Sequence, residues 1–122
     1  MFDHIGFPVR DLAVSRSFYL AVLAPLGIGL VVDRAEVVAF GRHGRAQFWL
    51  GGSLAPPRGV HLAFSAADRA SVRAFHAAAL AAGGTDNGAP GLRPQYHADY
   101  YGAFVLDPDG HNVEAVCRNT ED

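Results

Sequence analysis

The chain has 122 residues, half of them hydrophobic and 18% charged, with a formal net charge of −2. That length suits one domain able to bury about two thirds of its unfolded surface without a disulfide or cofactor, and the near-neutral charge argues against nucleic-acid or membrane-surface partners. No run of about 18 apolar residues offers a membrane span, and the single cysteine, Cys117, excludes a disulfide framework and fits a reducing, cytoplasmic setting as a small buried hydrophobe.

Taken in chain order, Phe2, Ile5, Phe7 and Val9 mark residues 2 to 9 as a strand that hands over at Arg10 and Asp11. Asp11 is a candidate N-cap for a helix from Leu12 to about Leu26, whose apolar positions follow helical spacing and which Gly27 stops. Pro25 belongs in its last turn or beyond. Three short strands are expected at about 28 to 32, 36 to 41 and 45 to 50, and then a loop connector, Gly51 to Ser53 with Pro56 and Pro57. Residues 60 to 65 form the next strand, and Asp68 to about Ala82 an alanine-rich helix ended by Gly83 and Gly84. Residues 85 to 94 are rich in Gly, Pro and Asn, so at most a short strand is expected there. Strands at about 100 to 106 and 111 to 117 flank the turn Asp107-Pro-Asp-Gly110 and make a hairpin.

This order repeats. His4 to Gly27 and His61 to Gly84 align without a gap at an offset of 57 residues. Identical pairs fall at His4/His61, Phe7/Phe64, Asp11/Asp68, Ala13/Ala70, Arg16/Arg73, Phe18/Phe75, Ala21/Ala78, Leu23/Leu80, Ala24/Ala81 and Gly27/Gly84. A repeated unit is usually one supersecondary module that cannot bury its apolar face alone. The expectation is therefore an α+β single domain over 1–122, made of two β-α-β-β-β modules at about 1–53 and 58–122. Each module forms a curved mixed sheet with its helix on the outer face. A ferredoxin-like sheet supplies too few strands between the helices.

Strand parity then separates the side chains. Ile5, Phe7 and Val9 share one face of the first strand, His4 and Gly6 the other; Leu62 and Phe64 oppose His61, Ala63 and Ser65 in the second copy. Each histidine thus looks into the concave side beside a small neighbour. Glu114 shares that side with Asn112 and Val116, opposite the apolar row Val113, Ala115 and Cys117. A carboxylate in the middle of an apolar strand needs a partner, a hydrogen bond or a metal. Two imidazoles and one carboxylate with open positions suit a catalytic divalent metal, and the ligand types do not separate Zn, Ni, Mn and Fe. Taken singly, a strand histidine is more often a hydrogen-bonded core or cleft residue, and Glu114 alone could pair with an arginine.

Other polar residues are weaker candidates. His43 falls in a turn, His76 is a surface or packing residue, and His111, of opposite parity to Glu114, is expected to point outward. Tyr96, Tyr100 and Tyr101 cluster at the entry to the strand at 100 to 106, where either Tyr100 or Tyr101 could donate a proton or hydrogen bond to substrate.

The stretch from His4 to Tyr19, the second histidine in Val60-His-Leu-Ala-Phe, and Asp107 to Glu114 resemble the vicinal oxygen chelate superfamily over essentially the whole chain. That group includes glyoxalase I, extradiol dioxygenases, fosfomycin resistance enzymes and bleomycin resistance proteins. The resemblance implies metal ligands at His4, His61 and Glu114. Glyoxalase I adds a glutamate at the end of the first module, where Gly44 to Gly51 here holds no carboxylate and offers Gln47 and Trp49 instead. The three-ligand set looks more like that of the dioxygenases or fosfomycin enzymes, although Gly6 stands where the latter carry threonine. The implied protein is a homodimer in which His4 of one chain joins His61 and Glu114 of the other. Its activity is metal-dependent lyase, isomerase or dioxygenase chemistry on a small oxygen-chelating substrate, with Glu114, Tyr100 and Tyr101 as catalytic candidates and Trp49, Gln47 and Tyr96 against the substrate. The competing implication is a metal-free binding protein of the bleomycin-resistance type, anchored by Trp49 and the tyrosines. A third is a domain without chemistry of its own.

Overall fold

The computed structural model describes residues 2–53, 56 and 58–120. Two four-stranded mixed sheets form, each with one helix. The first contains β1 (Ile5–Val9), β2 (Gly29–Asp33), β3 (Val37–Gly41) and β4 (Phe48–Gly52) in the order β1-β4-β3-β2, with helix α1 (Leu12–Leu23) between β1 and β2. The second contains β5 (His61–Ser65), β6 (Thr85–Leu92), β7 (Tyr101–Leu106) and β8 (Asn112–Cys117) in the order β5-β8-β7-β6, with α2 (Arg69–Ala81) after β5. In each module the opening strand pairs in parallel with the closing one and the other neighbours run antiparallel. The two β-α-β-β-β units inferred from the repeat are therefore the fold.

The repeat holds down to its capping atoms. Asp11 accepts a hydrogen bond from the Val14 amide and Asp68 accepts one from the Ser71 amide, so equivalent aspartates satisfy equivalent first-turn donors. The Ser71 side chain first, then its amide, holds the Asp68 carboxyl below its ordinary value by hydrogen bonding. The glycines at the helix ends are less symmetric. Pro25 sits in a 3-10 turn over Ala24–Leu26 that extends α1, and Gly27 takes the left-handed conformation at φ 75°. After α2 the left-handed residue is Gly83 at φ 93°. Gly84, which aligns with Gly27, is instead needed for space, because a Cβ there would lie 2.8 Å from the Phe18 ring and 2.9 Å from the Ala79 carbonyl.

Three expectations need correction. The segment after α2 is not a short strand but the eight-residue β6, the longest in the molecule among the described residues. It lies at a sheet edge with two register shifts against β7, and an edge tolerates Pro90 because that side of the ladder needs no amide donor. Gly51 and Gly52 belong to β4 rather than to the connector, whose Pro57 lies outside the described residues. His111 is not outward but fully buried, because the face opposite Glu114 is the core. Its Nδ1 accepts from the Val60 amide at 3.3 Å, and its ring meets Phe7 edge-on at 5.2 Å.

A single cluster of buried side chains draws on both modules, including Val9, Phe18, Phe40 and Leu50 from the first and Leu62, Phe75, Val105 and Val113 from the second. Phe48 and Phe64 meet across the boundary with ring centroids 5.5 Å apart. The helix-side faces of the two sheets are thus spent on one another and on α1 and α2. At the centre the Tyr19 hydroxyl donates to Asp107 at 2.6 Å, linking α1 to the turn before β8. Asp107 also accepts from the Asp109 and His111 amides. Burial, then the Asp107 charge, raises the Tyr19 phenol far above its usual value. Replacing Tyr19 with Phe removes the one side-chain donor that a buried carboxylate has among the described residues and is expected to cost about 1.5–3 kcal/mol, read as a lower urea midpoint with an unchanged slope.

Candidate active site

With the helix-side faces turned to the shared core, the opposite faces of the sheets are open. His61, Ala63 and Ser65 of β5 are exposed, as are His4, Gly6 and Pro8 at β1. Parity puts His61 beside Glu114, since β5 and β8 run in parallel with His61 opposite Asn112 and Ala63 opposite Glu114. The His61 Nε2 lies 3.0 Å from Glu114 Oε1, the imidazole half exposed and the carboxylate buried. On its other side His61 Nδ1 lies 3.1 Å from the Asn112 carbonyl. Both partners are acceptors: the carbonyl requires the proton on Nδ1, and Nε2 meets the Glu114 carboxylate either with a second proton or with a cation between the two. A backbone acceptor fixing the tautomer of a ring nitrogen is the arrangement that presents the other nitrogen to a metal.

The second oxygen of Glu114 is also occupied. The Tyr100 hydroxyl donates to Oε2 at 2.5 Å, a length typical of a hydroxyl on a carboxylate. Gly102 makes this possible: a Cβ at that position would stand 3.1 Å from the Tyr100 ring and 3.5 Å from Glu114 Oε2. Burial first, then the hydrogen bond to Glu114, pushes the Tyr100 phenol up to about 12. Tyr100 therefore keeps its proton across the physiological range and acts as a donor. His61, Tyr96, Tyr100, Phe104, Asn112 and Glu114 line a cavity of about 410 Å³ on this face. Tyr96 packs on Tyr100 at 5.2 Å.

The other candidates are placed elsewhere. Tyr101 points to the opposite face, where Arg69 stands over its ring at 5.1 Å and Arg73 donates to its hydroxyl at 3.4 Å, so it does not reach Glu114. His4 belongs to the other sheet and pairs with Asp3 at 2.8 Å. Among the described residues no three side chains of metal-ligating type come together, so one chain joins His61 to Glu114 but not His4 to either. Gln47 lines a second cavity of about 400 Å³ between the modules, with Ile5, Phe48 and Phe64. His43 lies exposed in its turn at φ 54°, and His76 sits on α2 with its Nε2 3.0 Å from Asp86. Cys117 is buried and unpaired.

Trp49 has a telling address. Gly6 pairs with Trp49 in the first sheet as Ala63 pairs with Glu114 in the second. Gly6 and Ala63 are equivalent in the repeat, so Trp49 stands at the position that Glu114 fills. The first module has an indole where the second has its carboxylate. Phe104, Asn112 and Gly102 were missed as site residues; the pairing of Phe104 with Glu114 across the β7–β8 hairpin is the signal that finds them.

The fold recurs in known proteins. The family model for the Glyoxalase/Bleomycin resistance protein/Dioxygenase superfamily matches residues 1–115. The chain belongs to that superfamily. A glyoxalase/bleomycin resistance protein from Albidiferax ferrireducens T118 is 35% identical, with a TM-score of 0.83 over 98% of this chain and 99% of that one. A glyoxalase/bleomycin resistance protein/dioxygenase family enzyme from Burkholderia phytofirmans PsJN shares the fold at 20% identity, with a TM-score of 0.73 over 96% and 98% of the two chains. No curated protein gives a significant match.

The Tyr100–Glu114 bond has a measurable signature. It is intact below the ordinary tyrosine value near 10 and is lost as pH rises through about 12. In a spectrophotometric titration of tyrosine, Glu114→Gln is expected to bring one late-ionising phenol part of the way back toward 10, leaving the share due to burial.

Proposed function

We propose that this superfamily member is a divalent-metal-dependent enzyme acting on a small substrate with adjacent oxygen atoms. In this reading it works as a homodimer, with His61 and Glu114 of one chain joined by His4 of a second copy. The supporting observation is the convergence of His61 Nε2 and Glu114 Oε1 at 3.0 Å on an open face, with their remaining polar atoms tied to Asn112 and Tyr100. Imidazole and carboxylate suit Zn, Ni, Mn or Fe alike, and Trp49 in place of a second carboxylate leaves positions open for substrate. When bound, such an ion supplies Lewis-acid polarisation of substrate oxygens or, as Fe(II), activation of O₂.

The chain's own residues do the rest. His61 is held in one tautomer by Asn112. Tyr100 fixes the Glu114 carboxylate through Oε2 and keeps Oε1 turned to His61, and its proton stays on the phenol as a donor beside the cavity. Phe104 and Tyr96 provide an apolar wall that limits water. Three observations favour a second copy. Neither β1 nor β5 pairs on its outer edge among the described residues, their histidine faces are uncovered, and Phe2 and Ile5 are exposed at 76% and 42% beside His4. No described helix is long and apolar enough to cross a membrane, and with one buried free cysteine the proposed setting is the cytoplasm.

A metal-free binding protein is the second reading. It is favoured by the closed set that His61, Glu114 and Tyr100 make without an ion when His61 carries a proton on both ring nitrogens, beside an aromatic wall suited to a flat ligand. Elemental analysis of protein purified without a metal-affinity tag separates the two. The enzyme reading expects about one divalent ion per chain and its loss in His61→Ala. No metal in the wild type, with small-molecule binding intact, selects the binding protein.

A further inference from the structure

We propose that the open face of the second sheet takes an anionic, flat-ring ligand, and that Arg93 anchors its anionic group. This rests on the assignment of that face as the ligand site, but not on a bound metal.

Arg93 follows β6 and folds back across the open face. Its guanidinium stands over the Phe104 ring at 5.4 Å from the centroid. Two glycines make the seat: a Cβ on Gly88 or on Gly91 would come within 3.2 Å of a guanidinium nitrogen. Gly88 pairs with Phe104 and Gly91 with Gly102, so the bare stretch of β6 faces the same side as Glu114. Nη2 donates to the Ala89 carbonyl at 2.7 Å, which fixes the side chain and uses one of five N–H donors. Among the described residues no carboxylate pairs with it. A half-buried guanidinium that is held in place, with no carboxylate partner among the described residues, is prepared for a carboxylate or similar anion, which it can grip through two parallel bonds.

The neighbouring groups set orientation. Phe104 lies between Arg93 and Glu114, and Glu114 is one strand away, about 5 Å across the sheet. A flat ring stacked against Phe104 and Tyr96 can therefore place its anion at Arg93 and its other end at His61 and Glu114. The reverse pose puts anion against carboxylate. Arg118 stands over Tyr100 at 4.9 Å and is exposed, so it adds to the positive field without a comparable seat.

The test uses chelator-treated, metal-free protein and two isosteric probes, benzoate and neutral benzamide, measured by calorimetry. Wild type is expected to prefer benzoate by about tenfold. Arg93→Gln is expected to abolish that preference while leaving benzamide affinity unchanged, which also certifies the fold of the variant. Arg118→Gln is expected to keep most of the preference. Equal affinities in the wild type, no binding of either probe, survival of the preference in Arg93→Gln, or its loss in Arg118→Gln overturns the proposal. Because no metal is present, failure of the metal-dependent reading appears only in the elemental analysis and leaves these outcomes untouched.

Discussion

The site follows from the way two incomplete modules share one core. Each sheet has one apolar face and one helix, and neither can bury that face alone at this chain length. Phe48 against Phe64, Phe7 against His111, and Tyr19 reaching from α1 to Asp107 are the contacts through which the halves satisfy each other. Once those faces are turned together, the faces bearing His4 and His61 turn outward. The same packing that stabilises the chain keeps its two symmetric histidines apart.

The second consequence is electrostatic. Glu114 sits on a strand with apolar neighbours and is nearly inaccessible, yet both of its oxygens have partners, one on His61 and one on Tyr100. A buried carboxylate without them would be costly. The first module avoids the problem by carrying Trp49 at the equivalent position, so the duplicated scaffold became chemically one-sided. The positive groups Arg93 and Arg118 lie on the same open side as Glu114, giving that surface a polarity from one strand to the next.

Much of this was legible in the chain. The 57-residue repeat, the N-cap at Asp11, the helix that begins at Asp68, and the parity that joins His61 to Glu114 rest on local rules, and local rules carried them. What failed depended on tertiary context. Parity separated His111 from Glu114 correctly and set it with the apolar row Val113, Ala115 and Cys117, which is the core face, yet the buried ring was read as outward. The Gly, Pro and Asn content of residues 85 to 94 lowers strand propensity, and the edge position and bulges of β6 override it. Tyr100 and Tyr101 were indistinguishable until the register of β7 placed them on opposite faces. The seat for Arg93 was invisible, because two glycines in a strand normally read as weakness rather than as room.

Mixed dimers test the proposed sharing of a metal site between two copies most directly. His4→Ala and His61→Ala chains carrying different tags are co-expressed, and the heterodimers are isolated for metal analysis. If each site draws His4 from one chain and His61 from the other, both homodimers are empty, while the mixed dimer keeps one site with every ligand and holds about one ion. A mixed dimer as empty as its parents, or full metal in the His4→Ala homodimer, would contradict a site built between two copies.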